Sequence, residues 1–204
     1  MILTRHRLAY LAVPKTATHA VEAALAADAD VIVRHPPPAR HMNLATFERV
    51  FRPWMARAGV KELETVAVMR EPIDWLYSWF RYRARPQIRG TPQSTEGLDF
   101  ERFVRGYLSR PRPPFAQVGQ QSRFVSGGAD RPRVDHLFAY ERLEQLAAFL
   151  SDRLGREIRF ERVNASPPRA ALRPETLLEP LTLSRLRSEL ADDIAWHAEL
   201  LARG

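Results

Sequence analysis

The stretch LAYLAVPKTATHAVEAAL, residues 8–25, contains a strand-like segment and a helix-like segment joined by a short polar turn. The apolar run at residues 8–13 has the length and composition of a buried strand, and it stops at Pro14. The alanine-rich segment at residues 18–27 is typical of a helix. A strand that turns directly into a helix predicts an α/β fold, with the turn at the carboxyl edge of a sheet.

The rest of the chain continues this alternation of strands and helices. Further strands are predicted at residues 31–33, 64–69, 136–139 and 158–163. Helices are predicted at residues 43–58, 72–84, 99–109 and 141–154, in a segment ending at Gly127, and over residues 175–202 with a break at Pro180. This order favours a central parallel sheet flanked by helices, in a single domain that spans residues 1–204. The polar segment 85–98 is long enough to act as a lid or substrate loop.

Composition and charge narrow the function classes. The chain has 204 residues, no cysteine and a net charge of +7. The absence of cysteine excludes disulfides and thiolate metal sites, and no apolar run approaches the roughly 20 residues that span a bilayer. The first apolar run is also too short for a secretory signal, so a cytoplasmic protein without a membrane span is expected. The positive charge favours an anionic small ligand or an acidic glycan over a nucleic acid, because the arginines are scattered.

Lys15 lies in the turn PKTATH between the predicted strand and helix, and Lys61 is the only other lysine of the chain. The first N–H groups of a helix are unpaired and carry the positive end of the helix dipole, so such a turn binds phosphate or sulfate. A lysine adds a mobile positive charge, and Thr16 and Thr18 add hydroxyl groups. The ATP-binding loop GxxxxGK(S/T) does not fit, because the chain has no glycine before Gly59. The alternative is a surface lysine beside a plain N-cap at Thr18.

A second stretch, VAVMREPIDWLYSWFRYR at residues 66–83, repeats the pattern with an arginine. Arg70 ends a predicted strand, and Pro72 is suited to the first position of the helix that follows. Ser78 lies two turns along that helix, away from its apolar stripe. The stripe is predicted to comprise Ile73, Leu76, Tyr77 and Phe80. A guanidinium suits bidentate contact with phosphate, so two anion sites on neighbouring strand ends predict a ligand with two separated phosphate groups.

These two motifs resemble those of the sulfotransferases that use 3′-phosphoadenosine 5′-phosphosulfate as donor. The first signature of that family is a strand followed by P-K-T/S-A/G-x-T/S and a helix, which here reads PKTATHAV. The second is R-D/E-P followed by a helix that carries a serine, which here reads REPIDWLYS. Weaker likenesses in QSRFVSG, FAYERLEQLAAFL and VNAS follow in the family's order, so the resemblance covers most of the chain. The first signature is closest to its form in the carbohydrate sulfotransferases.

The resemblance implies a P-loop-like sulfotransferase fold and a set of donor-binding residues. These residues are Lys15, Thr16, Ala17, Thr18, His19, Arg70 and Ser78. The first motif would cradle the 5′-phosphosulfate, with Lys15 on the bridging oxygen that gains negative charge as the sulfuryl group leaves, whereas Arg70 and Ser78 would hold the 3′-phosphate. His19 departs from the family, which usually has threonine or serine there, so a hydroxyl contact is either lost or replaced by the imidazole. No metal is expected, because lysine, arginine and backbone N–H groups supply the positive field.

Transfer to a hydroxyl also needs a base for the acceptor proton, and the family often uses histidine. The histidines of the chain are His6, His19, His35, His41, His136 and His197. His6 and His136 precede predicted strands, which places them nearer the opposite sheet edge. His197 lies in the predicted terminal helix, where a packed or surface role is expected.

The resemblance makes His41 and Lys15 the expected catalytic residues, with His35 and then His19 as alternatives for the base. The expected reaction moves a sulfuryl group from the nucleotide donor to an acceptor hydroxyl on a carbohydrate or a glycan-containing small molecule. One alternative is a diverged nucleotide-dependent kinase, against which the missing glycines count. The other is a non-catalytic anion- or glycan-binding module on the same fold, which His19 leaves open.

Overall fold

Among the residues that the structure describes, four strands form the central sheet. The computed structural model describes residues 1–127, 133–160 and 173–203. In spatial order the strands are β1 (Ile2–Leu3), β2 (Leu8–Tyr10), β3 (Glu64–Met69) and β4 (His136–Ala139). β2, β3 and β4 are parallel, as predicted, but β1 is antiparallel to β2, so the sheet is mixed rather than parallel throughout. The short connection between β1 and β2 suits an antiparallel pair, because parallel neighbours need a long crossover.

Helices flank the sheet on both faces. The α-helices of the described residues are α1 (Thr18–Leu25), α2 (Pro37–Arg40), α3 (Leu44–Thr46), α4 (Arg52–Arg57), α5 (Pro72–Arg83), α6 (Phe100–Leu108), α7 (Gln121–Val125), α8 (Leu143–Leu154), α9 (Pro180–Glu189) and α10 (Ala191–Ala202). A π-helical turn at Phe47–Phe51 joins α3 to α4. Asn43 caps this long helix by accepting a hydrogen bond from the Thr46 N–H at 2.8 Å, and Gly59 follows its end with a φ of 94°. The predicted helix at residues 43–58 is therefore confirmed. None of the described helices is long and apolar enough to cross a membrane.

The unit of β3 and α5 matches its prediction most closely. β3 has the predicted bounds, and α5 begins at Pro72. Glu71 caps α5 by accepting a hydrogen bond from the Asp74 N–H at 2.6 Å. The four residues of the predicted apolar stripe all belong to one hydrophobic cluster with α6 and α9. Local sequence and tertiary packing therefore agree in this unit, which carries the second motif.

Three strand predictions need correction. The predicted strand at residues 8–13 is regular only to Tyr10, although the Leu11 N–H still donates to the Val66 carbonyl at 2.8 Å. The strand predicted at 31–33 is reduced to one bridge between Val31 and Ile2, because its neighbour β1 has only two residues. The strand predicted at 158–163 does not form at residues 158–160, where the Ile158 N–H donates to the Ser151 hydroxyl instead. Its remainder lies outside the described residues, as does the VNAS segment.

The helix predictions need smaller corrections. The first helix ends at Leu25, two residues early, and the one predicted from residue 141 begins at Leu143 after a short 3-10 turn. The helix predicted to end at Gly127 is α7, which ends at Val125. The C-terminal segment breaks at Pro180, as predicted, and again at Leu190, where α9 gives way to α10. Both α9 and α10 bury side chains against the core.

Two hydrophobic clusters cover the two faces of the sheet. Alternate residues of a strand point to opposite faces. Ala9, Leu11 and Val13 pack with the helix of α3 and α4 and with α10, whereas Leu8, Tyr10 and Ala12 pack with α1 and α8. The segments that follow β2, β3 and β4 therefore emerge together at the carboxyl edge, and both sequence motifs lie there.

Candidate anion-binding site at the carboxyl edge of the sheet

The turn after β2 has an unusual backbone. Lys15 and Ala17 adopt left-handed conformations with φ of 68° and 60°, and Thr16 between them does not. A left-handed conformation costs a residue with a side chain roughly 1–2 kcal/mol. Two buried hydroxyls hold the turn in this shape, because Thr16 and Thr18 both donate to the Val13 carbonyl, at 2.8 and 3.0 Å. The threonine hydroxyl protons therefore stabilise the turn.

This turn leaves several successive backbone N–H groups without an acceptor in the described residues. Turns that contain left-handed residues can present successive N–H groups as an anion-binding concavity. The N–H groups of residues 16–19 donate to no other described residue, and α1 begins at Thr18. The positive end of the α1 dipole adds to this field. The arrangement suits a phosphate, sulfate or phosphosulfate oxygen.

The Lys15 side chain lies against aromatic rings of α5. Its Nζ is 3.8 Å from the ring centroid of Tyr82 and 5.7 Å from that of Trp79. Within the described part of the chain Lys15 forms no ion pair with a carboxylate. Burial, followed by repulsion from Arg85 and Arg70, lowers the pKa of Lys15 to about 8. Lys15 is thus a partly desolvated cation that has cation–π partners and, among the described residues, no anionic one.

Arg70 is placed at the end of β3, beside the first motif. Its Nη1 lies 3.4 Å from the Lys15 carbonyl oxygen, so the two motifs meet as the sequence predicts. Its Nε donates to the Asp74 carboxylate at 2.6 Å, and the guanidinium stacks 4.5 Å above the Tyr140 ring. The Nη2 also pairs with Asp74. One N–H of each terminal nitrogen has no acceptor among the described residues, which leaves Arg70 able to bind a further oxygen.

Ser78 lies on α5 between the two cations. Asp74, Ser78 and Tyr82 occupy successive turns on one side of the helix, since they are four residues apart. At one end of this row Asp74 forms an ion pair with Arg70. At the other end Tyr82 forms a cation–π contact with Lys15. The half-buried Ser78 hydroxyl bonds to no other described residue. The structure therefore brings Lys15, Arg70 and Ser78 to one surface.

His41 lies near enough to Lys15 for the two charges to interact. Its Nδ1 is 2.8 Å from the Ala12 carbonyl oxygen, and a carbonyl only accepts, so Nδ1 carries the proton and Nε2 keeps its lone pair. Burial lowers the pKa of His41 below its usual range, and the nearby charges of Arg40, His19 and Lys15 add to this, while the bond to Ala12 opposes it. A neutral imidazole with a free Nε2 has the protonation state of a general base.

The other histidines have different surroundings. His19 is exposed, and its Nδ1 lies 3.2 Å from Arg40 Nη2, which also donates to Glu22. His35 is exposed in the loop before α2. His136 pairs with Glu64 at the start of β3, on the opposite edge of the sheet.

The two remaining histidines are also engaged with protein groups. His6 lies 3.0 Å from the Arg153 carbonyl, outside the site. His197 is buried in α10 and lies 2.8 Å from Glu141, so it packs inside the fold. Among the described histidines, His41 combines proximity to Lys15 with a free ring nitrogen.

Several residues around the turn were not found by sequence reasoning. Two buried nitrogen atoms here have no hydrogen-bond partner in the described residues, namely Arg40 Nε and Trp79 Nε1. Tyr10 lies under the turn, where burial raises the pKa of its hydroxyl and the Thr16 and Thr18 hydroxyls oppose that rise. Trp79 lies beside Lys15. Unsatisfied buried donors are rare in folded proteins, so each of them marks a place that can accept a polar group. In a sequence, aromatic residues spaced along a helix indicate a buried core face. The contact of Trp79 with Lys15 is therefore not predicted.

The comparisons with known proteins give no match. No protein-family model matches the chain, and neither a curated protein nor a solved structure matches it. The function is therefore inferred from the residues and geometry of this edge of the sheet.

Proposed function

We propose that the protein is a sulfotransferase, which transfers a sulfuryl group from 3′-phosphoadenosine 5′-phosphosulfate to an acceptor hydroxyl. The observation that carries the proposal is the strained turn after β2, with left-handed Lys15 and Ala17 and a lysine that has no carboxylate partner among the described residues. Strain of this kind persists at functional sites because the surrounding structure enforces it. A fold that maintains both a strained backbone turn and a partly desolvated lysine is suited to binding an anion at that turn.

The 5′ end of the donor would lie on the turn. Backbone N–H groups of residues 16–19 would bind the phosphosulfate oxygens. Lys15 Nζ would leave its position over Tyr82 and contact the oxygen that becomes negative as the sulfur–oxygen bond breaks. Stabilisation of that oxygen by the fixed dipoles and by Lys15 would lower the barrier to transfer.

The 3′-phosphate would lie towards the end of β3. Arg70 offers its two remaining N–H groups, and Ser78 offers a hydroxyl one turn beyond Asp74. The phosphate must share the guanidinium with the Asp74 carboxylate, which reduces the gain from this contact. Because the contact is electrostatic, affinity for the second phosphate should fall as ionic strength rises.

His41 is the proposed base. Its Nε2 would take the proton of the acceptor hydroxyl while the acceptor oxygen bonds to sulfur. The proton ends on the imidazole, and the electron pair of the broken bond remains on the nucleotide phosphate. We propose a carbohydrate hydroxyl as acceptor, on the likeness of the first motif to that of the carbohydrate enzymes.

A non-catalytic anion-binding module is the second candidate. The pairing of Arg70 with Asp74 and the engagement of His19 with Arg40 favour it, because both reduce the groups available to a donor. Such a module would bind the bisphosphate nucleotide and release no product in the presence of any acceptor. Turnover therefore separates the two candidates.

Nucleotide preference tests the proposal. Thermal unfolding would be followed with 3′,5′-adenosine bisphosphate and, in parallel, with ATP. A bisphosphate at a hundredfold excess over its Kd should stabilise the protein by about 2.7 kcal/mol, and ATP should stabilise it less. Stabilisation by ATP without an effect of the bisphosphate would refute the sulfotransferase and favour a nucleotide-dependent kinase.

A further inference from the structure

A buried amide side chain lies directly behind Arg70. Gln121, the first residue of α7, has no exposed surface. Its Oε1 accepts a hydrogen bond from the Arg70 N–H at 2.9 Å, and its Nε2 donates to the Arg70 carbonyl at 2.8 Å. One side chain thus pairs with both backbone groups of the same residue, as a neighbouring strand would do.

A buried carboxylate of α10 fixes the position of Gln121. Asp193 accepts hydrogen bonds from the N–H groups of Gln121 and Ser122, at 2.9 and 2.8 Å, and is only 1% exposed. These are the first two N–H groups of α7, so Asp193 caps this helix from outside its own segment. Because α7 has only five residues, its orientation depends on such tertiary bonds. The order of contacts from α10 is Asp193, Gln121, Arg70.

This chain of contacts ends at the residue assigned to the second phosphate. The direction of the Cα–Cβ bond of Arg70 depends on the two peptide groups that flank it, and Gln121 holds both. The guanidinium end is held separately by Asp74. Arg70 is therefore fixed at its backbone by one residue and at its head group by another.

We infer that Gln121 is a positioning residue for Arg70, with Asp193 as its anchor. Gln121 sets the direction in which the Arg70 side chain leaves β3, and thereby the affinity of the site for a phosphate at that end of α5. The identity of the ligand, a nucleotide with a 3′-phosphate, rests on the proposed function. The positioning role rests only on the contacts between Gln121 and Arg70.

A double-mutant cycle tests this inference. Calorimetry would give the Kd of 3′,5′-adenosine bisphosphate and of ATP for the wild type, Gln121→Ala, Arg70→Ala and the double variant, well below every melting temperature. Gln121→Ala should weaken bisphosphate binding about tenfold. In the Arg70→Ala background the same substitution should change the Kd less than twofold, since Gln121 acts through Arg70. A merely structural role would lower the melting temperature equally in both backgrounds and leave the affinities unchanged.

A neighbouring glutamine supplies the control. Gln120 donates through Nε2 to the Glu189 carbonyl at 2.7 Å and forms no bond to Arg70, so Gln120→Ala should leave the Kd unchanged. Gln121→Glu serves if Gln121→Ala does not fold, because it has the same shape and keeps the acceptor for the Arg70 N–H. It should also weaken binding, since a carboxylate repels the Arg70 carbonyl.

The outcomes separate the inference from the proposed function. Equal losses of affinity from the Gln121 substitutions with and without Arg70 would overturn the inference. If the wild type prefers ATP, the proposed function fails, and the same cycle measured with ATP decides the positioning role. If the wild type binds neither nucleotide, both fail.

Discussion

The two strand ends that form the candidate site differ in how their charges and backbone donors are satisfied. After β2, the N–H groups of residues 16–19 and the Lys15 ammonium have no acceptor or anion among the described residues. After β3, the Arg70 N–H pairs with Gln121, the Glu71 N–H pairs with Glu141, and the guanidinium pairs with Asp74. The end of β2 thus has a strained backbone and unpaired donors in the described residues. At the end of β3 the donors are paired, and the charge of Arg70 is largely offset by Asp74.

The difference suggests that the two ends have different tasks. An unsatisfied, partly desolvated cation gains most when a negative charge develops beside it, which suits the leaving oxygen. An arginine already paired with a carboxylate gains less from a new anion, but its fixed direction gives selectivity for a phosphate at a set distance. Chemistry would then depend mainly on the β2 end, and nucleotide selection on the β3 end.

The largest effect is expected at His41. His41→Ala should lower turnover by about 10² to 10⁴ and leave bisphosphate affinity near that of the wild type, because the residue would act only on the acceptor proton. Release of the bisphosphate product, measured across a panel of glycans, provides the assay. His35→Ala is the control, since it lies in the same part of the chain. If His35→Ala abolished turnover and His41→Ala did not, His35 would be the base instead of His41. If neither substitution lowered turnover, His19 would be the next candidate for the base.

Substitution of Lys15 should affect both binding and chemistry. Lys15→Ala removes the cation from the bound phosphosulfate and from the leaving oxygen, so turnover should fall by about 10² to 10³ and the bisphosphate should bind more weakly. Lys61→Ala, at the exposed position of the other lysine, should change neither quantity. If Lys15→Ala altered affinity but spared turnover, the β2 end would not have the catalytic task.

The β3 end should show a smaller effect, confined to binding. Arg70→Ala removes a charged contact and should weaken bisphosphate affinity by about 1.5 to 3 kcal/mol, whereas Ser78→Ala removes a neutral hydrogen bond and should cost about 1 kcal/mol. Isothermal titration of each variant gives both numbers. An unchanged Kd in Arg70→Ala would show that the second phosphate does not bind at this strand end.

The smallest effect is a gain in stability when the partly buried charge of Lys15 is removed. The folded state lowers the pKa of Lys15 to about 8, below that of an unfolded lysine near 10.4, so the unfolded chain binds more protons between these values. The cost of the charge is therefore fully present at neutral pH and disappears as the pH rises through this window. Lys15→Met should stabilise the protein by about 1 kcal/mol at pH 7, after allowance for partial exposure, and by nothing above pH 10.5.

Urea denaturation at both pH values measures this gain. Lys61→Met is the matched control and should show no difference between the two. Destabilisation by Lys15→Met at pH 7 would mean that the contacts with Tyr82 and Trp79 outweigh the burial of the charge.

The sequence predicted those parts of the fold that depend on local pattern. β3, β4 and the start of α5 were found at the correct residues, because apolar runs, Pro72 and strand ends are local signals. The antiparallel β1 and the loss of the strand at residues 31–33 were missed. Both depend on which strand a short segment at the sheet edge pairs with. The local sequence of the segment does not determine that pairing partner.

The candidate site divides in the same way. The motifs correctly placed Lys15 and Arg70 at one edge, because the ends of parallel strands meet there. The contacts of Lys15 with Tyr82, and of Gln121 with Arg70, join distant parts of the chain and have no signature in sequence spacing. The burial of Thr16 also followed only from the folded turn, since a threonine in a polar motif suggests an exposed hydroxyl.

The central claim is that the two strand ends bind the two phosphates of one nucleotide. Calorimetric titration of the wild type and Arg70→Ala with 3′,5′-adenosine bisphosphate and with 5′-AMP tests it most directly. The wild type should bind the bisphosphate at least about tenfold more tightly than 5′-AMP, and Arg70→Ala should bind the two nearly equally. Equal affinity of the wild type for both nucleotides, or a preference that survives in Arg70→Ala, would contradict the account.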